Sequence, residues 1–92
     1  MSKLNAWTLD DHQASISKAW VFDSFKTARD FFSKLADLAE LHDHHPEVLS
    51  SHANMRIRLW THDAGGLTVK DFELAMDIDQ LIANDFSQRL KK

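Results

Sequence analysis

The sequence has no cysteine, a single proline and two glycines in 92 residues. Without cysteine there is no disulfide framework, no thiolate metal ligand and no cysteine nucleophile, so any chemistry falls to His, Asp, Glu, Ser or Thr. A net charge of −3, with acidic and basic residues interleaved, provides no footprint for a phosphate backbone and excludes direct nucleic-acid binding. No apolar run approaches membrane-spanning length, and Met1 to Leu9 carries neither a long apolar stretch nor a cationic leader. A cytoplasmic protein without membrane contact is expected. What is present is a hydrophobic share of 43%, with six Phe and three Trp, which predicts a packed globule. The length predicts one domain over residues 1–92.

Punctuation is confined to Pro46 and Gly65-Gly66, so the elements between are readable. Trp7 to Leu9 and Ile16 to Phe22, rich in aromatic and β-branched residues, predict two strands joined around Asp10-Asp11-His12. Asp23 or Ser24 can cap a helix in which Phe25, Ala28, Phe32, Leu35 and Ala39 recur at helical steps, with Phe31 and Leu38 widening the stripe. Pro46 should end this helix near His42 to His45. Val48 to Ser51 predicts a third strand, and Met55 to Trp60 a fourth that buries Met55, Ile57 and Leu59. Leu67 to Phe72 opens the last helix with a Thr68–Asp71 capping box and a Leu67–Phe72 staple. That helix is expected to reach about Leu90, with Phe72, Ala75, Met76, Ile82, Phe86 and Leu90 on one face and Leu74, Ile78 and Leu81 in a second row. Arg89, Lys91 and Lys92 read as cations at its negative end. The order β-β-α-β-β-α predicts an α+β fold, a four-stranded antiparallel sheet with helices packed on one face. The surplus apolar row and the open sheet edges predict a homodimer or homotetramer.

Six histidines is a high count for this length, and His42, His44, His45 and His52 fall within eleven positions, with His62 ten further on. Three readings compete: solvated loop histidines, a metal site and an acid/base site. The spacing argues against a metal, because adjacent side chains at 44 and 45 diverge and cannot readily share one ion. His12, His42 and His52 read as exposed loop histidines. His44 and His45 at a helix exit and His62 past a strand end can meet at one rim of the sheet, where imidazoles suit proton transfer at neutral pH.

Two motifs go further. Glu40-Leu-His-Asp-His44-His45-Pro46-Glu47 resembles the E-x-x-x-H-H-P signature of pterin-4a-carbinolamine dehydratases. Thr61-His62-Asp-Ala-Gly-Gly-Leu-Thr, with Asp71 and Leu74-Ala75, resembles that family's second segment at the same separation, and Trp7 falls where a Trp is common. The resemblance implies elimination of water from 4a-hydroxytetrahydropterin to a quinonoid dihydropterin, with no cofactor and no metal. It implies a pterin substrate, a possible link to an aromatic amino-acid hydroxylase or another protein partner, and oligomers. By position, His44, His45 and His62 become the catalytic set. His45 and His62 are expected beside the hydroxyl and His44 to orient the pterin, with acid and base left unassigned. Glu40, Asp43 and Asp71 become pocket carboxylates and Lys70 a substrate-steering cation. Asp71 has the competing role of capping carboxylate, Glu40 and Asp43 that of a solvated helix end, and Lys70 that of a surface lysine. The chain departs from the pattern at Val48, where animal members carry an aromatic, and at His52-Ala53, where many have Tyr-Asn. The alternative class is a non-catalytic scaffold of the same fold, acting in assembly or dimerisation.

Overall fold

A computed structural model of the chain describes residues 7–10 and 14–91. His12, Lys92 and the side chain of His62 lie outside the described residues. The elements are β1 (Thr8–Leu9), β2 (Ile16–Val21), α1 (Phe25–His42), β3 (Glu47–Ser51), β4 (Asn54–Leu59) and α2 (Val69–Leu81). They form an α+β fold in the order expected. The strands pair antiparallel in the order β1-β2-β4-β3, with Ile16 opposite Leu59 and Val48 opposite Ile57.

Alternation along β4 buries Met55, Ile57 and Leu59, and the register adds Ile16 and Trp20 of β2 to the same face. Both helices pack on that face. From α1 come Ala28, Phe31, Leu35 and Ala39, and from α2 come Leu74, Ala75 and Ile78. Phe31 makes ring contacts with Trp20, Phe22 and Phe86 at centroid distances of 5.6, 5.2 and 5.5 Å.

Four details differ from the sequence expectation. In α1, Phe31 is buried while Phe25 and Phe32 are exposed, because only one of the adjacent residues Phe31 and Phe32 can face the aromatic cluster. In α2 the buried face is Asp71, Leu74, Ala75 and Ile78, and Val69, Phe72 and Met76 lie outside. Asp71, fully buried, lies on that inward face. The last helix does not continue regularly to Leu90. After Leu81 it widens into a π-helical turn, Ile82–Phe86, then tightens into a 3-10 turn, Ser87–Arg89. The change of pitch sets Phe86 against Phe22 and Phe31. Arg89 is not a free helix-end cation: it pairs with Asp23 at 2.9 Å and donates to the Thr27 hydroxyl at 2.8 Å. The Asp23 carboxyl is thereby held below its ordinary range, chiefly by the Thr27 hydroxyl and then by Arg89.

Trp7 is held by a residue of α2, 72 positions away in sequence. Its indole N–H donates to both carboxylate oxygens of Asp79, which also pairs with Lys18 at 2.9 Å. Among the described residues no helix is long and apolar enough to cross a membrane.

Candidate active site

The end of α1 places the first two histidines. Asp43 has φ 51, and its N–H bonds to the Glu40 carbonyl at 3.2 Å while that of His44 reaches the Ala39 carbonyl at 3.0 Å. This is a Schellman-type stop, with aspartate at the left-handed position that it tolerates better than most side chains. Pro46 then keeps the chain extended into β3. Across this reversal the two neighbouring imidazoles separate, as their adjacency in sequence requires.

His44 turns inward. Its Nε2 lies 2.6 Å from Asp71 Oδ1, and Asp71 is fully buried. The other oxygen, Oδ2, accepts from the Thr61 hydroxyl at 2.8 Å and from the Thr68 N–H at 2.9 Å. Thr61 and Thr68 hydroxyls meet at 2.7 Å, and the Thr68 hydroxyl oxygen also accepts from the Lys70 N–H. Asp71 is fully buried and is not part of the pocket lining; the carboxylate that completes the capping box of α2 reaches the pocket only through His44, which it binds. His45 turns outward, with Nε2 2.9 Å from Glu40 Oε2 in an exposed pair. Glu40 thus contacts His45 directly and is not part of the pocket lining.

His44, His45, Asp43 and Lys70 line a pocket of about 350 Å³, together with Trp60, Thr61 and Asp63. The volume falls within the range of small-molecule sites, and the lining is mostly polar. The backbone of His62 opens a 3-10 turn, His62–Ala64, between two of these residues, Thr61 and Asp63. Thr61 is anchored by paired backbone bonds with Gly66, 2.9 and 3.3 Å. The sequence marks Trp60 only as a strand residue and Thr61 only as a motif residue. The signal for Thr61 was its place directly before His62; for Trp60 it was the outward phase shared with Arg58, whose guanidinium lies 5.1 Å from the ring centre.

His42 is not a solvated loop histidine. It is in the last turn of α1 and bonds Asp77 of α2 at 2.7 Å, tying the two helices beside the site. His52 is exposed, at φ 57 in the turn between β3 and β4. The departure at Val48 concerns packing, since Val48 is partly buried against the core and is not in the pocket lining. Among the described residues no group of three His, Asp or Glu side chains is placed to hold a metal ion. What the arrangement offers chemically is a carboxylate-anchored imidazole and a more exposed imidazole on one polar pocket, a pairing suited to moving protons.

Fold and site together make this chain a small α+β domain that carries a histidine, anchored by a buried aspartate, at one end of an antiparallel sheet. The chain belongs to the pterin-4a-carbinolamine dehydratase family. The family described as Pterin 4 alpha carbinolamine dehydratase matches residues 1–81. Pterin-4-alpha-carbinolamine dehydratase 2, mitochondrial, of Arabidopsis thaliana is 37% identical over 94 residues, covering 99% of this chain. The chain spans 50% of that relative's length. A protein of Picosynechococcus, provisionally named for the same dehydratase, is 43% identical over 81 residues, 88% of this chain and 86% of its own. Among solved structures, a transcriptional coactivator/pterin dehydratase from Brucella melitensis superposes with TM-score 0.80 at 30% identity, covering 84% of this chain and 82% of its own. A pterin dehydratase-like protein identified as a RuBisCO assembly factor in the alpha-carboxysome shares the fold, with TM-score 0.72 at 22% identity over 84% of this chain and 89% of its own.

Proposed function

We propose that this chain is a hydro-lyase that eliminates water from 4a-hydroxytetrahydropterin to give the quinonoid dihydropterin, supporting tetrahydropterin recycling. The observation that carries this reading is the shared polar pocket of His44 and His45, with His44 tied to the buried Asp71. Dehydration of a carbinolamine needs one proton removed from N5 and one delivered to the C4a hydroxyl, two transfers a few ångströms apart. Imidazoles of His44, His45 and His62 perform them, with Asp43 and Lys70 on the pocket wall to meet the polar edge of the pterin. No cofactor or metal takes part in this scheme.

The reaction is placed in the cytoplasm, downstream of an aromatic amino-acid hydroxylase. Self-association into a homodimer or homotetramer is part of the proposal, supported by the exposed row Val69, Phe72 and Met76 on α2 and the open edge of β3. The test is spectrophotometric: 4a-hydroxytetrahydropterin is generated by an aromatic amino-acid hydroxylase and its decay followed with and without the protein. Acceleration over buffer supports the dehydratase. Decay at the buffer rate favours the scaffold reading, in which the fold acts only through a protein partner.

A further inference from the structure

We propose that Thr61 is a positioning residue which, through Asp71, holds His44 as the Nε2–H tautomer and leaves Nδ1 as the proton acceptor of the site. The inference rests on the dehydratase reading and assigns His44 the base half of that reaction, in place of the orienting role expected from sequence.

The argument is one of donors and acceptors. The Thr68 N–H can only donate, and it donates to Asp71 Oδ2. The Thr61 hydroxyl has one hydrogen and directs it to the same oxygen at 2.8 Å. Its 2.7 Å contact with the Thr68 hydroxyl is therefore one in which Thr61 accepts. Thr68 in turn gives its hydroxyl hydrogen to Thr61 while accepting the Lys70 N–H at 3.3 Å. The hydroxyls thus point in one direction, from the start of α2 through Thr61 to Asp71. With Oδ2 occupied by two donors, Oδ1 faces His44 Nε2 at 2.6 Å. A carboxylate oxygen only accepts, so the hydrogen in that contact is on Nε2. A neutral ring then has a bare Nδ1, which has no hydrogen-bond partner among the described residues.

In the reaction N5–H gives its proton to His44 Nδ1, and the electron pair left on N5 forms the C4a=N5 double bond. The C4a–O bond breaks, and the hydroxyl leaves as water with a proton from a second imidazole. Both histidines return to their starting state by exchange with solvent.

The experiment is ¹⁵N–¹H correlation spectroscopy of the histidine rings at mildly alkaline pH, where free imidazole is neutral, on the wild type, Thr61→Val and Thr61→Ser. His44 is assigned by the loss of its signals in His44→Gln. The wild type is expected to show Nε2–H and an unprotonated Nδ1. In Thr61→Val the two tautomers should mix and kcat fall roughly tenfold, the scale of one hydrogen bond to a charged group, with KM changed much less. Thr61→Ser, which keeps the hydroxyl, should restore both. Nδ1–H as the dominant wild-type tautomer overturns the inference, as does a serine variant that behaves like valine. The ring spectra are read without substrate. A protein with the expected tautomer and no dehydration activity would sink the dehydratase reading and leave the tautomer assignment standing.

Discussion

Replacement of Asp71 by alanine should cost the fold about 4 kcal/mol, a large fraction of the stability of a domain this small. The side chain is fully buried and accepts from three donors: His44 Nε2, the Thr61 hydroxyl and the Thr68 N–H. On its removal the Thr61 hydroxyl can turn to the Thr68 hydroxyl, 2.7 Å away, so its loss is small. The other two have no such substitute. The Thr68 N–H is an orphan donor at a helix N-terminus, and the His44 side chain is only 10% exposed. A hydrogen bond to a charged group contributes about 2 kcal/mol, which sets the total from the two. For a chain of this size a urea m-value of about 1.5 kcal/mol/M converts that loss to a midpoint lower by roughly 2.5 M. Urea unfolding followed by tryptophan fluorescence reads it directly. A midpoint within about 0.5 M of wild type would refute the claim that these donors depend on Asp71.

His45→Ala or His62→Ala should lower the dehydration rate ~10²-fold or more while the far-UV spectrum is unchanged; wild-type turnover in both would remove them from the acid/base set. Asp23 should carry a pH-dependent part of the stability. Its carboxyl titrates lower in the folded than in the unfolded chain, so its contribution is complete above the unfolded value and fades as pH falls through the folded one. The stability gap between wild type and Asp23→Asn should therefore be constant near neutrality and shrink below about pH 4; a gap that persists unchanged into strong acid would contradict the Thr27 and Arg89 contacts. The exposed row on α2 predicts self-association, weakened by Met76→Glu; a monomeric wild-type mass by light scattering at micromolar concentration would count against it.

Much of the local structure was legible because it depends on neighbours in sequence. Pro46 announced the end of α1, Thr68 and Asp71 announced the start of α2, and the alternation of Met55, Ile57 and Leu59 announced the buried face of β4. Each of these signals spans six residues or fewer. The histidine pair at a helix exit was likewise readable, since Pro46 and the periodicity of α1 together place it there.

Sequence alone determined the element order, the family motifs and the residue types available for chemistry. Tertiary structure decided which residues those elements turn toward one another. Two adjacent phenylalanines at 31 and 32 satisfy the same periodicity, and only the presence of Trp20, Phe22 and Phe86 selected Phe31. Capping spacing could not reveal that Asp71 reaches back 27 residues to His44, nor that Thr61 would close its other oxygen. Hydrogen bonds of that range depend on how α1, β4 and α2 pack. Periodicity describes one element at a time, whereas the orientation of this imidazole is set by Asp71 of α2 and by Thr61, which follows β4.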